Sequence, residues 1–141
     1  MSKLRSFFLY GTLMDPEILN RALGQTVDAE RLSPALLPSH RRGYIVGRDF
    51  PGLRFEPGFE TAGLLLHDVT TRERLRLNVY EGPHYRLASV TALHGAPQAE
   101  SIAAHVYVVK PGLKLGADWD LESWQQHHKP AYMQRWFGAA G

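Results

Sequence analysis

Residues 7–17 have the sequence Phe-Phe-Leu-Tyr-Gly-Thr-Leu-Met-Asp-Pro-Glu, which contains an apolar run followed by a glycine and a helix-start signal. The apolar start predicts a buried strand over residues 7–10, and Asp15 followed by Pro16 is typical of the beginning of a helix. Residues 11–14 are therefore predicted to connect a strand to a helix. Such a loop can direct several backbone N–H groups towards one anionic or carbonyl oxygen, and Gly11 leaves that approach open.

A second short segment, residues 80–86, has the sequence Tyr-Glu-Gly-Pro-His-Tyr-Arg and contains a single carboxylate between two tyrosines. Aromatic surroundings raise the pKa of a carboxyl group by desolvation, and a raised pKa suits a general base. Glu81 is therefore a candidate catalytic residue. The alternative is an exposed glutamate in a turn, because Gly-Pro pairs are common in turns at the protein surface.

Together the two segments resemble the gamma-glutamylcyclotransferase-like family, and the resemblance is closest to its AIG2-like branch. Tyr10-Gly11-Thr12-Leu13 is similar to the substrate loop of that family, and Glu81 stands at the position of its acid–base glutamate. One departure is Asn78, where the family usually has an aspartate. Shorter similarities occur between the two segments in the same order, at residues 34–38, 41–42, 50–53 and 63–65.

The resemblance implies an enzyme that cyclises the glutamyl part of a γ-glutamyl amide to 5-oxoproline and releases the amine. In that reaction Glu81 acts first as a base and then as an acid. The backbone N–H groups of residues 11–13 hold the glutamyl end, and neither cofactor nor metal is required. The resemblance leaves the identity of the amine open. An alternative is a non-catalytic module that binds a small carboxylate or a peptide in the same cavity.

Several aromatic and loop residues are predicted to contact the γ-glutamyl substrate. The tyrosines among them are equally compatible with core positions in which the hydroxyl group has a protein partner. Tyr107 is placed in the set by strand alternation, which also fits simple packing. The predicted substrate-binding residues are Tyr10, Gly11, Thr12, Leu13, Tyr80, Tyr85 and Tyr107.

Composition favours one domain over residues 1–141, because a chain of this length with 44% hydrophobic residues can bury a core. The absence of cysteine excludes thiol catalysis and disulfides. The seven histidines lack the spacing of a metal site.

Although the pI is about 9.0, the basic residues are interrupted along the sequence, so no nucleic-acid partner is predicted. The short apolar runs predict no membrane association, and a cytoplasmic protein is expected.

The element pattern predicts an α+β protein with a small, mostly antiparallel curled sheet or barrel and short flanking helices. Helices are expected over residues 16–23 and 71–79, the second because Thr70 and Glu73 form a capping box. A helical segment interrupted near Pro130 is expected over residues 118–137. Strands are predicted over residues 29–37, 41–47 and 61–69, and a hairpin over residues 85–93 and 102–109.

Residues 49–60 are rich in glycine and proline and also contain three phenylalanines. This composition predicts a long loop that covers the site as a lid. Phe50, Phe55 and Phe59 would then exclude water from the reacting groups.

Overall fold

The computed structural model describes residues 5–95 and 99–137 and contains a curled sheet with helices packed against it. The strands are β1 (Arg5–Leu9), β2 (Leu32–Ile45), β3 (Pro51–Val69), β4 (Tyr85–His94), β5 (Glu100–Val109) and β6 (Leu115–Asp118). The α-helices are α1 (Pro16–Leu23), α2 (Thr71–Glu81), α3 (Leu121–His127) and α4 (Lys129–Phe137). Short 3-10 turns occupy Thr12–Met14, Ala29–Arg31 and Gly82–His84.

The sheet closes on itself as a small barrel. The strand order is β3-β1-β5-β4-β2, and pairing of β2 with β3 joins the two ends, while β6 extends the sheet from β2. All pairings are antiparallel except that between β1 and β5. The predicted α+β class and the mostly antiparallel barrel-like sheet are confirmed.

Alternation along β1 separates two apolar layers, because successive strand residues point to opposite faces. Phe8 and Tyr10 lie inside the barrel with side chains such as Val106. Phe7 and Leu9 face outward and pack against the helices. Buried side chains contributed by those helices include Ile18, Leu77, Trp124 and Tyr132.

The two predicted helix starts are confirmed. The Asp15 carboxylate accepts a hydrogen bond of 3.1 Å from the Ile18 N–H, and Pro16 is the first residue of α1. Thr70 and Glu73 form the capping box of α2. That helix runs two residues further than predicted, so Glu81 is its last residue.

The lid prediction for residues 49–60 is wrong. Strand β3 begins at Pro51, and β2 and β3 form one long antiparallel hairpin from Leu32–Leu66 to Tyr44–Pro51. Gly52 is required by packing, since a Cβ atom there would lie 2.1 Å from Val109 Cγ1. The glycines of this segment were misinterpreted as signs of a loop because close strand packing also requires glycine.

Strand β2 is continuous where two strands were predicted. The expected break at residues 38–40 is a β-bulge, with Ser39 at a φ of 59° and a register shift between Pro38 and His40. A bulge bends a strand without ending it. Residues 29–31 form a 3-10 turn rather than the predicted beginning of that strand.

The carboxyl-terminal helical segment is interrupted at His128, close to Pro130 as predicted. Pro130 is the second residue of α4, where the missing N–H removes no helical hydrogen bond. The Lys129 ammonium contacts the Asp15 carboxylate at 2.9 Å and ties α4 to the start of α1.

Candidate active site

A narrow cavity lies where the end of β1, the following 3-10 turn and the end of α2 meet. The free volume inside is about 20 Å³, little more than a water molecule needs. Glu81 and the backbone of residues 11–13 therefore line one cavity, although 70 residues separate Gly11 from Glu81 in the sequence. The lining residues are Phe8, Leu9, Tyr10, Gly11, Thr12, Leu13, Pro51, Glu81, Tyr85 and Tyr107.

Glu81 reaches the cavity because α2 ends there. Gly82 has a φ of 72°, which turns the chain out of the helix at the residue after Glu81. Burial raises the pKa of the Glu81 carboxyl group from 4.5 to about 8. Within residues 5–95 and 99–137 no group donates a hydrogen bond to this carboxyl group. It is therefore mostly protonated at neutral pH and has its hydrogen-bonding capacity free for a ligand.

The 3-10 turn after β1 lines the same cavity and has backbone N–H groups that it does not use itself. The bonds that close the turn run from the Met14 N–H to the Gly11 carbonyl, 2.9 Å, and from the Asp15 N–H to the Thr12 carbonyl, 3.0 Å. The Thr12 and Leu13 N–H groups open the turn and have no acceptor in the part of the chain that the structure describes. A ligand oxygen can accept from both.

Gly11 is needed for a reason beyond ligand access. A Cβ atom at this position would lie 2.8 Å from Pro51 Cγ, closer than van der Waals contact permits. The first residue of β3 therefore closes one side of the turn. Any side chain larger than hydrogen at Gly11 would push Pro51 away from the cavity.

Three of the predicted tyrosines line the cavity, and each hydroxyl group has a protein acceptor. Tyr10 donates to the Tyr107 carbonyl at 2.6 Å from inside the barrel. Tyr85 donates to the Pro51 carbonyl at 2.6 Å. Tyr107 donates to Asn78 Oδ1. Their hydroxyl groups therefore have protein partners, as the packing interpretation predicts, and their rings form part of the cavity wall; contact with a substrate stays a prediction.

Tyr80 does not line the cavity. Its hydroxyl group is hydrogen-bonded to Thr12 Oγ1 at 2.7 Å and to the hydroxyl group of Tyr132 in α4. Burial raises the pKa of Tyr80 well above 10, so the hydroxyl group stays neutral. Tyr80 and Tyr132 thus hold the 3-10 turn through Thr12 without lining the cavity themselves. Sequence reasoning missed Tyr132 because only the tertiary fold brings α4 close to the turn.

Arg42 is a second supporting residue that sequence reasoning did not identify. Its guanidinium group donates to the carbonyl groups of Tyr10 and Ala62, both at 2.9 Å, and lies 5.4 Å from the centre of the Trp119 ring. These contacts fix the end of β1 where the 3-10 turn begins. The only signal in the sequence was the similarity of residues 41–42 to the family pattern.

Asn78 has a definite role in the structure. Its side-chain oxygen accepts the Tyr107 hydrogen bond from one turn before Glu81 in α2. Burial, followed by the negative charge of Glu81, raises the pKa of Tyr107. The Asn78 amide thus orients the ring of Tyr107, which lines the cavity.

The histidines lie outside the cavity lining. His84 packs edge-on against Phe50, with ring centres 5.6 Å apart. In the described residues no group of three or more histidine, aspartate or glutamate side chains is arranged to hold a metal ion. Among the described helices, none has the length and apolar character needed to cross a bilayer.

Comparison with known proteins identifies the class to which this fold and site belong. The family model for gamma-glutamyl cyclotransferase, AIG2-like, matches residues 7–126, and the chain belongs to that family. AIG2-like protein A of Arabidopsis thaliana is 25% identical over 133 residues, which cover 94% of this chain and 79% of that protein.

Two solved structures show the same fold. A solution structure of a protein from Arabidopsis thaliana has a TM-score of 0.72 at 26% identity, covering 95% of this chain and 89% of that chain. A gamma-glutamyl cyclotransferase specific to glutathione from yeast has a TM-score of 0.60 at 11% identity, covering 85% and 75% of the two chains. At that identity the yeast enzyme supports the fold alone.

Proposed function

We propose that this protein is a gamma-glutamyl cyclotransferase, in which Glu81 transfers the protons while the glutamyl part of a γ-glutamyl amide closes to 5-oxoproline. The observation that carries the proposal is the partly buried Glu81 carboxyl group with its raised pKa, which lines the same cavity as Gly11, Thr12 and Leu13. Membership of the family supports the same chemistry.

The proton transfers follow from the pKa of Glu81. In the reaction the α-amine attacks the γ-carbonyl carbon, a C–N bond of the lactam forms, and the C–N bond to the leaving amine breaks. The substrate must first lose a proton from its α-ammonium group, whose pKa is above the value of about 8 for a peptide amino terminus because the neighbouring α-carboxylate is ionised. The ionised form of Glu81, which is the minor form at neutral pH, accepts this proton, and the raised pKa of about 8 makes it a stronger base than an ordinary glutamate. Glu81 then returns the proton to the leaving nitrogen.

The 3-10 turn would stabilise negative charge. The Thr12 and Leu13 N–H groups belong to a turn held rigidly by Tyr80 and Arg42, so they need little reorganisation when an oxyanion or the α-carboxylate arrives. The narrow free volume means that the glutamyl group displaces wall residues as it enters. Tyr85 and Pro51 are the wall residues contributed by neighbouring strands.

The leaving amine would point into an open groove beside the cavity. Phe50 and His84, next in sequence to the cavity residues Pro51 and Tyr85, line this groove together with Trp136. Arg48 also lines it, and Arg135 forms an ion pair of 2.6 Å with Asp49. The groove is open and is lined by both aromatic and charged side chains, so it does not select one kind of amine. The amine is best identified by assaying a panel of γ-glutamyl amides.

The decisive experiment is Glu81→Gln, assayed for 5-oxoproline release on a γ-glutamyl amide that the wild-type protein turns over. Glutamine keeps the size and much of the hydrogen bonding but cannot accept the ammonium proton. We expect turnover to fall by about 10²–10⁴-fold with the fold intact. Glu60→Gln, the same change at an exposed position of β3, is the control and should retain wild-type turnover. Near wild-type rates for Glu81→Gln would contradict the acid–base role.

A second candidate is a non-catalytic module that binds a small carboxylate in this cavity. The observation in its favour is the narrow free volume of about 20 Å³, because a small carboxylate needs less displacement of the cavity wall than a whole γ-glutamyl amide does. If no amide in the panel is turned over, and glutamate or 5-oxoproline still protects the amides of residues 11–13 from hydrogen exchange, the binding module is the better account.

A further inference from the structure

The barrel wall contains a split between β2 and β4, away from the cavity described above. The two strands pair only at Ala35–His94 and Leu36–Leu93. From Tyr85 to Ala92 that edge of β4 has no strand partner among the described residues, although its other edge pairs with β5 throughout. The facing edge of β2 pairs next with β6, beginning at Gly43.

The sequence of β2 explains why the strands part. Pro38 has no N–H to donate to a neighbouring strand. The bulge at Ser39 immediately afterwards bends β2 away from β4. The result is a groove between the strands, with the apolar residues Leu53, Ala88, Val90 and Val108 among those that line it.

Four cationic side chains surround this groove: Arg54, Arg86, Lys110 and Lys114. No aspartate or glutamate lines it, and none of the four forms an ion pair within the part of the chain that the structure describes. The net charge of the whole chain is only +2, so this groove concentrates more positive charge than the molecule carries overall. The four residues are dispersed in the sequence, which is why no basic cluster was predicted there.

We propose that this groove binds an extended acidic peptide segment of a partner protein, which adds as a strand to the free edge of β4. The unpaired backbone of β4 would supply main-chain hydrogen bonds, the apolar floor would accept alternate side chains, and the cations would contact carboxylates. Charge complementarity favours an anionic ligand, and the combination of a strand edge with an apolar floor favours a peptide over a nucleic acid.

The test uses a fluorescent, acetylated octapeptide that alternates glutamate and valine, titrated onto the intact protein. We expect a Kd below about 100 μM at low salt, weakening as salt is added. Hydrogen exchange at residues 86–91 should slow when the peptide is bound. The same peptide with an N-methylated backbone cannot pair as a strand and should not bind.

The double charge reversal Lys110→Glu/Lys114→Glu, at two exposed positions, should weaken binding by about tenfold or more. The control Arg48→Glu/Arg72→Glu changes the net charge equally at exposed positions that do not line the groove between β2 and β4. This variant should bind the peptide as the wild type does. Absence of peptide binding, equal binding of the N-methylated peptide, or tighter binding of an oligothymidine of similar charge to the same groove would overturn the proposal.

Discussion

The contact between Tyr107 and Asn78 shows how a single residue sets the electrostatics of the cavity. An aspartate at position 78 would place a negative charge against the Tyr107 hydroxyl group. The asparagine present keeps the hydrogen bond without that charge. Glu81 therefore owes its raised pKa to burial and not to a neighbouring carboxylate.

Replacing Asn78 by aspartate should consequently raise the pKa of Glu81 further. Like charges disfavour ionisation, and we expect an upward shift of about 0.5–1 unit. The measurement is a ¹³C NMR titration of the Glu81 carboxyl carbon, which does not depend on knowing the substrate. Asn78→Ala, which removes the hydrogen bond without adding charge, is the control; an unchanged titration in Asn78→Asp would show that the two sites are not coupled.

At the scale of elements, the first turn of α2 depends on one buried carboxylate. Glu73 accepts two hydrogen bonds from the Arg31 guanidinium group, at 2.7 and 2.8 Å, and a third from Gln25 at 2.7 Å. The same side chain accepts from the Thr70 N–H at 3.1 Å. Hydrogen bonding from Arg31, opposed by burial, lowers the pKa of Glu73. Because α2 carries Glu81 at its other end, this cluster supports the helix that delivers the candidate catalytic group.

Glu73→Gln should destabilise the protein at neutral pH by about 3 kcal/mol, because it leaves the Arg31 charge without its partner. Urea unfolding at pH 7 measures the loss. Glu122 occupies the first turn of α3 but is exposed, so Glu122→Gln should cost less than about 1 kcal/mol. Equal losses for the two variants would mean that the Arg31 pair contributes little.

Three carboxyl groups make the stability of the whole protein depend on pH, two in one direction and the third in the other. Lys129, Gln125 and Ile18 lower the pKa of Asp15 against the effect of its burial, and the pKa of Glu73 is lowered as well. These two groups stabilise the fold above their unfolded pKa values and lose that contribution as pH falls. Glu81, with its pKa raised, stabilises below 4.5 and loses its contribution as pH rises towards about 8.

The wild-type protein should therefore be most stable in mildly acidic solution. Between pH 5 and pH 8.5, its free energy of unfolding should decline relative to that of Glu81→Gln, by about 4 kcal/mol in all. Urea unfolding across this range measures the difference, and Glu60→Gln should follow the wild type throughout. A constant difference between wild type and Glu81→Gln would contradict the raised pKa.

Local patterns in the sequence were sufficient to predict that helices start at Pro16 and Thr71. They also predicted that Glu81 and the turn after β1 line the same cavity. Each depends on caps or on a family motif. The strand over residues 51–60 was missed because glycine and proline there serve close packing and a bulge. The role of Tyr132 and the basic groove could not be predicted, because residues far apart in the sequence come together there only in the folded chain.

The hydrogen bonds that join Thr12, Tyr80 and Tyr132 also set an order of events on the ribosome. The chain emerges amino end first, yet the turn after β1 gains its last support only when α4 has left the exit tunnel. Strand β1 must likewise wait for β3 and then β5 before both of its edges are paired. Strand β1 is thus translated well before both of its edges can be paired, and Phe7 and Phe8 lack their full set of partners until β5 has emerged.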